Sequence, residues 1–545
     1  MQKEFSNSLE KVAERSINLN FGKNFLDRTK YTIGILYATT PNCTMQLDNA
    51  IDYIRRGILS NDCVPLVFST YCAEDGLVNM DGGAYNLPFR ELIADSTQSL
   101  ISLHNLDGVV LLANHDNAVA GLMMGSIRTA TPFVVSSIGV SHSIGGRDQG
   151  LTQVLQSVSK LKSGAINLED LSQIERQSLS NGSFSHLQSM ACLTEVLGVS
   201  LIGNGTIPAL TQVCNEHHAK VGNIICKVVQ DSIQPKMLLT VKAFENALVA
   251  ACAISASLDC VLHLIALANE CKIKLTFDTV AEISNKTPTL VAMHALKQSS
   301  IDFYLAGGVG AVVNQLVETN SIDGSTLTVQ QIQLSQAVSK LYSLDESVVY
   351  PNDAPYLSIG SIAVFKGNIA EGGALARRTP TNCYKAFVAK CKVFDSVTAA
   401  KLALLTNCAI SSGDAIVVRY EGPKGAPGMR DLYDLYALLC GYGMQDSVSI
   451  VTDGRLSFAD GISVGYICSE AYCDGEISLA RDNDKLIIDF AKNKIELDVS
   501  SKEFKHRLKK HDFKLNNSSG WLERYSQMVQ PANNGAILSL AKNKK

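Results

Sequence analysis

Apolar and polar positions along the chain fall into two alternating periods. Residues 31–37 (YTIGILY) are a near-continuous apolar run of strand length. Residues 45–59 then carry apolar side chains at 45, 47, 51, 54, 58 and 59, the spacing of one helix face. A second run, 64–71 (VPLVFSTY), predicts a strand. The stretch from Pro88 (PFRELIADSTQSLISLHN) predicts a helix with proline near its first turn. Residues 107–113 (DGVVLLA) predict a third strand, 118–127 a helix, and 132–137 (PFVVSS) a fourth strand. Uninterrupted apolar strands alternating with helices imply a parallel sheet covered on both faces.

Helical patterning dominates from about 185 to 345. A turn-rich zone near 350–375 (YPNDAPY, GNIAEGG) follows, and the remainder is strand-weighted, with AIVVRYEG, DSVSIVTDG and ISVGYICSE as short strands. LARDNDKLIIDF predicts a hairpin. The expected architecture is a large parallel-sheet α/β domain over residues 1–360, a linker at 361–374, and a smaller β-barrel-like domain over 375–545. Residues 247–268 imitate a membrane span, but Asp259, Ser255, Ser257 and His263 interrupt them, so a buried helix is expected and no membrane partner. The basic stretch 502–512 (KEFKHRLKKHD) predicts a solvated helix.

Composition narrows the function classes. Of 545 residues, 46% are hydrophobic and 18% charged, enough for large cores and against a disordered chain. Lys+Arg total 48 against Asp+Glu 52, a formal charge of −4, which gives no basic field for nucleic acid. The 15 cysteines form no CxxC pair, and they read as small buried hydrophobes in a reducing cytosol. The first residues (MQKEFSNSLEKVAERS) lack the apolar core of a signal peptide, so a cytoplasmic protein is expected.

Ligands of open parallel sheets gather beyond the carboxyl ends of the strands. Three segments fall there: 38–46 (ATTPNCTMQ), CAEDG with Asp75, and 114–117 (NHDN). A thiol, two carboxylates and an imidazole are thus expected at one edge, with N-capping as the competing reading of Asp116. Two Gly-rich loops, 420–429 (YEGPKGAPGM) and 452–457 (TDGRLS), permit close backbone approach to a carboxylate or phosphate. No GxxxxGK[ST], HExxH or GxSxG occurs, so kinase, zincin and serine-hydrolase classes lack support.

The ordered set NCTMQL (42–47), AEDGLVNMDGGAYNLPFRELIADS (73–96), DGVVLLANHDNAVAGLMMGSIR (107–128), LTEVLGVSLIGNGTIPA (193–209), LAGGVGAVVNQL (305–316), GSIAVFKGNIAEGGA (360–374), VVRYEGPKGAPGMRDL (417–432) and SIVTDGRLS (449–457) resembles the dihydroxy-acid dehydratase / phosphogluconate dehydratase family over roughly residues 30–500. The resemblance implies dehydration of a 2,3-dihydroxy acid or sugar acid to a 2-keto acid by a homodimer. It also implies an iron–sulfur cluster acting on the leaving hydroxyl, Mg²⁺ on the carboxylate, and a serine base. Ser457 falls at the base, and Asp75, Asp116 and Asp431 at the Mg²⁺ carboxylates. The cluster cysteines fall on Cys43, His115 and Asn181, and the carbamylated lysine on Asn117. The family's GGSTN reads Ser255-Ala256-Ser257-Leu258-Asp259, and its GGTRG is replaced by Phe458-Ala459-Asp460-Gly461.

A site with one thiol, one imidazole and one carboxamide is not expected to hold a [2Fe-2S] or [4Fe-4S] cluster. Mg²⁺ or another divalent metal is expected on the three aspartates. The residues therefore leave three readings: a dehydratase-like hydro-lyase with a degraded cluster site, a catalytically inactive homologue that binds a ligand or serves in assembly, and a metal-dependent lyase or isomerase using only the Mg-and-Ser enolisation half. In the first and third, the Ser457 hydroxyl is expected to face the cleft between the domains.

Overall fold

A computed structural model describes residues 30–38, 44–70, 81–140, 151–180, 188–296, 298–406, 410–509 and 518–539. The first sheet holds β1 (Thr32–Ala38), β2 (Val64–Ser69), β3 (Gly108–Ala113) and β4 (Phe133–Ser136), in the order β2-β1-β3-β4. All three pairings are parallel. Every residue of β3 is buried, as its unbroken apolar run requires of a central strand. The crossovers carry α1 (Thr44–Leu59), α2 (Asn86–His104) and α3 (Asp116–Arg128). α2 and α3 pack backbone to backbone: a Cβ on Gly121 would lie 2.6 Å from the Arg90 carbonyl, and one on Gly125 2.5 Å from that of Ala94.

The run that imitates a membrane span is two buried helices, α8 (Val241–Ala253) and α9 (Asp259–Glu270), separated by a turn at Ser255 with φ 50°. Between α3 and α8 lie α4 (Leu151–Lys162), α5 (Leu168–Ser180), α6 (Ser189–Val196) and α7 (Gln212–Gln230). Among the described residues no helix is long and apolar enough to cross a membrane.

The second sheet has eight strands: β5 (Ile362–Gly367), β6 (Ala370–Arg377), β7 (Ala386–Phe394), β8 (Asp414–Val418), β9 (Ser449–Thr452), β10 (Gly465–Cys468), β11 (Lys485–Asp489) and β12 (Lys494–Leu497). Their order is β10-β6-β5-β12-β11-β7-β8-β9, and a Val451–Val464 bridge between β9 and the lead into β10 nearly closes it into a barrel. The architecture expected from the patterning is the one observed. Two local readings differ. Residues 361–374, expected as a linker, form β5 and the start of β6: their Gly/Asn signals sit inside a hairpin, at Gly367–Asn368, and at Gly373, whose φ of +99° lets the backbone approach Phe277. The hairpin expected within LARDNDKLIIDF falls one segment later. Residues 476–479 make a short 3-10 turn instead of a strand, and β11 pairs with β12. The basic stretch forms a helix over Ser501–Lys509, with Arg507 folded in against Asp484.

The chain closes on itself. Arg90 in α2 is fully buried; its guanidinium pairs with Glu91 at 2.8 Å and donates to the carbonyls of Gly535 and Ala536 at 2.9 and 2.8 Å. Tyr525, Val529, Ala532 and Ala536 belong to the same core as the first sheet.

Candidate active site

β3 delivers residues 114–117 to the sheet edge. The Asn114 amide bonds the Ile138 N–H and the Gly139 carbonyl, which ties the ends of β3 and β4 together. His115 takes the N-cap position of α3, so Asp116 is the first helical residue and not its cap. A carboxylate in the first turn suits the helix dipole. Asp116 Oδ1 accepts the Met190 N–H of α6 at 2.7 Å, and the Cys260 thiol of α9 lies 3.9 Å from Oδ2. Burial pushes the thiols of Cys192 and Cys260 well above the ordinary range, so both stay protonated. The Asn117 amide donates to Asn86 Oδ1 at the start of α2. Cys43, Asp75 and Asn181 lie outside the described residues.

The barrel domain brings the other half. Residues 430–432 run beside 455, with Arg455 N–H donating to the Arg430 carbonyl and Leu432 N–H to that of Arg455, both at 2.9 Å. Two residues on, Ser457 Oγ donates to Asp431 Oδ2 at 2.5 Å, while the Tyr433 and Ser457 N–H groups approach Oδ1 at 3.1 and 3.4 Å. Ser457 and Asp431 are 7% and 8% exposed, so the hydroxyl faces the interior. Burial lifts the Asp431 carboxyl to about 6, with the charge of Asp259 adding and those of Arg455 and the Ser457 hydrogen bonds opposing.

Segment 255–259 is the seam between these halves. The Ser457 carbonyl accepts the Leu258 N–H at 2.9 Å. Arg377, 3% exposed, donates to the carbonyls of Ser255, Ala256 and Ser457 at 2.6, 2.9 and 3.3 Å. The Phe458 ring lies 5.5 Å from its guanidinium carbon and packs against the core around α10 (Tyr433–Gly441). Arg455, 1% exposed, meets Asp259 Oδ2 at 2.5 Å, Asn86 Oδ1 at 3.0 Å and the Met429 carbonyl at 2.7 Å. Tyr466 donates to Asp259 Oδ1 at 2.7 Å. A hydrogen-bonded chain thus runs Asn117–Asn86–Arg455–Asp259–Tyr466. Of these, Asn86 and Tyr466 carried no signal in the sequence, whereas Asp259 was visible as the single formal charge in an apolar run.

The Gly-rich loop 420–429 is held differently from the anion cradle that its glycines suggested. Asp453 accepts the N–H groups of Tyr420, Glu421 and Ala471, and Glu470 those of Lys424 and Gly425. These loop donors are spent on the protein's own carboxyls. Among the described residues no group of three or more His, Cys, Asp or Glu side chains is arranged to hold a metal ion. Asp75, the third aspartate expected there, is not among them.

Comparison with known proteins places this architecture. Residues 30–337 match the family described as dihydroxy-acid/6-phosphogluconate dehydratase N-terminal, and 347–536 its C-terminal counterpart. The dihydroxy-acid dehydratase of Clostridium botulinum is 34% identical over 544 residues, covering 97% of this chain and 98% of that one. That of Pyrococcus abyssi is 36% identical over 504 residues, 90% and 91% of the two chains. The chain belongs to the dihydroxy-acid/6-phosphogluconate dehydratase family. The two dehydratase-family regions meet beside the Ser457–Asp431 contact, where Leu258 N–H, just before α9 of the first, donates to the Ser457 carbonyl of the second, and where Asp259 of α9 pairs with Arg455.

Proposed function

We propose that this chain is a hydro-lyase acting on a 2,3-dihydroxy acid or sugar acid, removing the C2 proton and releasing water to give a 2-keto acid. The observation that carries the reading is Ser457 Oγ placed 2.5 Å from Asp431 Oδ2 in a buried seam between the domains. A neutral hydroxyl is a weak base, but as its oxygen accepts the C2 proton its own proton passes along the hydrogen bond to the Asp431 carboxylate, so the pair acts together as the base. Ser457 is the group that receives the C2 proton. Its carbonyl, held by Leu258 N–H and Arg377, fixes the backbone there, and the bond to Asp431 aims the side chain.

Asp75, Asp116 and Asp431 are the residues that would hold Mg²⁺ or another divalent cation, and hard carboxylate oxygens suit such an ion. When bound, that ion would draw charge from the substrate carboxylate and C2 hydroxyl and so acidify the C2 proton. The cluster positions do not fit an iron–sulfur group. His115 offers imidazole, Asn181 a carboxamide, and only Cys43 a thiol. No step here passes through a cluster. The same donor set also supports the third reading, a lyase or isomerase that enolises its substrate without departure of the C3 hydroxyl. We further propose a homodimer, which light scattering at micromolar concentration checks.

The test incubates protein purified without oxygen with Mg²⁺ and short 2,3-dihydroxy acids or aldonic acids in D₂O. A 2-keto acid product supports dehydration. Deuterium entering C2 without keto acid supports the enolisation reading. Neither outcome with any substrate overturns both and leaves a ligand-binding homologue.

A further inference from the structure

We propose that Asp259 is a positioning residue for Ser457: it keeps the buried Arg455 guanidinium off Asp431, so that Asp431 remains the acceptor of the serine hydroxyl. The inference rests on the reading of Ser457 as the base and goes one residue layer behind it.

Arg455 is enclosed, and each of its nitrogens has a partner from a different part of the chain. Nε donates to the Met429 carbonyl at 2.7 Å, one terminal nitrogen to Asn86 at 3.0 Å, and the other to Asp259 at 2.5 Å. Of these partners only Asp259 is an anion. A buried guanidinium without a contacting anion is strongly unfavourable, so it turns to the next carboxylate within reach. That carboxylate is Asp431, which already feels the Arg455 charge and lies beside it across the 431–455 bridge.

If Arg455 captured Asp431, it would compete with Ser457 for Oδ2. It would also give up Met429 and loosen the hydrogen bonds that join 430–432 to 455. Tyr466 is the second half of the device. Its hydroxyl holds Oδ1 of Asp259 at 2.7 Å, so the carboxylate presents Oδ2 to Arg455. The family's GGSTN segment ends in Asn where this chain has Asp259. The ion pair is therefore a property of this chain's own residues.

The experiment compares wild type, Asp259→Asn, Asp259→Glu and the double variant Asp259→Asn/Arg455→Met, each as the full chain. The readouts are crystal structures, amide hydrogen exchange by mass spectrometry, and separate kcat and KM. In Asp259→Asn, Arg455 is expected within hydrogen-bond distance of Asp431, with Ser457 Oγ displaced. Exchange over 429–433 and 453–458 should rise at least about tenfold. kcat should fall at least about tenfold with KM within about twofold, and Asp259→Glu should recover most of it. The double variant, with no guanidinium to migrate, should keep Ser457 on Asp431. An unchanged Ser457–Asp431 contact and exchange pattern in Asp259→Asn overturns the proposal, as does equal displacement of Ser457 in the single and double variants. If Asp259→Asn does not fold, folding of the double variant supports the proposal and its failure overturns it. If wild type converts no hydroxy acid, the functional reading fails, while structure and exchange still judge Asp259.

Discussion

Ser457 and Asp431 are 26 residues apart in sequence and 2.5 Å apart in space, hydroxyl to carboxylate, on neighbouring segments joined by backbone hydrogen bonds at 430–432 and 455. Burying the Asp431 carboxylate costs the fold something, because burial favours its protonated form, and Arg455 and the Ser457 hydrogen bonds offset that cost only in part. A pair held against its own desolvation is expected to matter for chemistry more than for stability. Ser457→Ala should cut keto-acid formation, or C2 exchange, by about 10²-fold or more. The melting temperature should stay within a few degrees, as calorimetry on the same preparation will check.

Asp116 contributes one oxygen to the Met190 N–H and turns the other toward Cys260. Asp116→Asn preserves the shape and removes the charge. Titration calorimetry with Mn²⁺ should show affinity weakened at least about tenfold, since a hard cation takes its ligand field from carboxylate charge. Unchanged Mn²⁺ affinity would remove Asp116 from the proposed ligand set.

Gly428 has φ +104°, and a Cβ there would fall 1.8 Å from the Ala84 carbonyl and 2.8 Å from Pro88 Cδ. The glycine lets the barrel-domain loop rest on the start of α2, three residues before Asp431. Gly428→Ala should lower stability by about 1–3 kcal/mol, read as a denaturant midpoint. It should also lower turnover more than Gly443→Ala, where φ is likewise positive but nothing lies within 4 Å.

Stability should fall as pH rises toward 8. Burial lifts the carboxyl of Glu195 to about 8, and it lifts Glu421 and Glu470 to about 7 and Asp453 to about 6. Each folded value lies above the unfolded one, so the native state binds more protons. The stabilising contribution is complete below about pH 4 and is lost as pH climbs through these folded values. Glu195→Gln leaves an amide against the Gly203 and Gly205 N–H groups, to which the carboxyl now bonds at 2.8 Å. Melting temperatures measured from pH 5 to pH 9 should decline less in Glu195→Gln than in wild type.

The first sheet was legible because its strands are buried on both faces, so that GVVLLA needs no alternation to declare itself. The hairpin was misplaced for the opposite reason. Leu479 and Ala480 are apolar and buried, yet they pack from a 3-10 turn, and local sequence does not separate that from a strand end. At the site, Ser457 and Asp431 each stood in a recognisable loop. Their pairing was not legible, because Asp431 reads locally as one more acidic residue beside a helix start. The same holds for Asp259, whose oddness in an apolar run was plain while its partner lay 196 residues away. What sequence withheld was the choice of partners across the seam, which tertiary packing makes.

The Arg90 clamp has a consequence for the order in which the molecule is made. A ribosome that has emitted the whole first domain has produced α2 with its buried guanidinium, but not the carbonyls of Gly535 and Ala536 that receive it. Nor has it produced Tyr525 and Val529, which fill the same core. Domains usually fold in turn as they emerge. Here the earliest sheet has to wait, incompletely sealed, for some of the last residues to leave the exit tunnel. Synthesis paused near residue 500 would hold open an apolar surface around the Arg90–Glu91 pair, with two of the guanidinium's acceptors still to come.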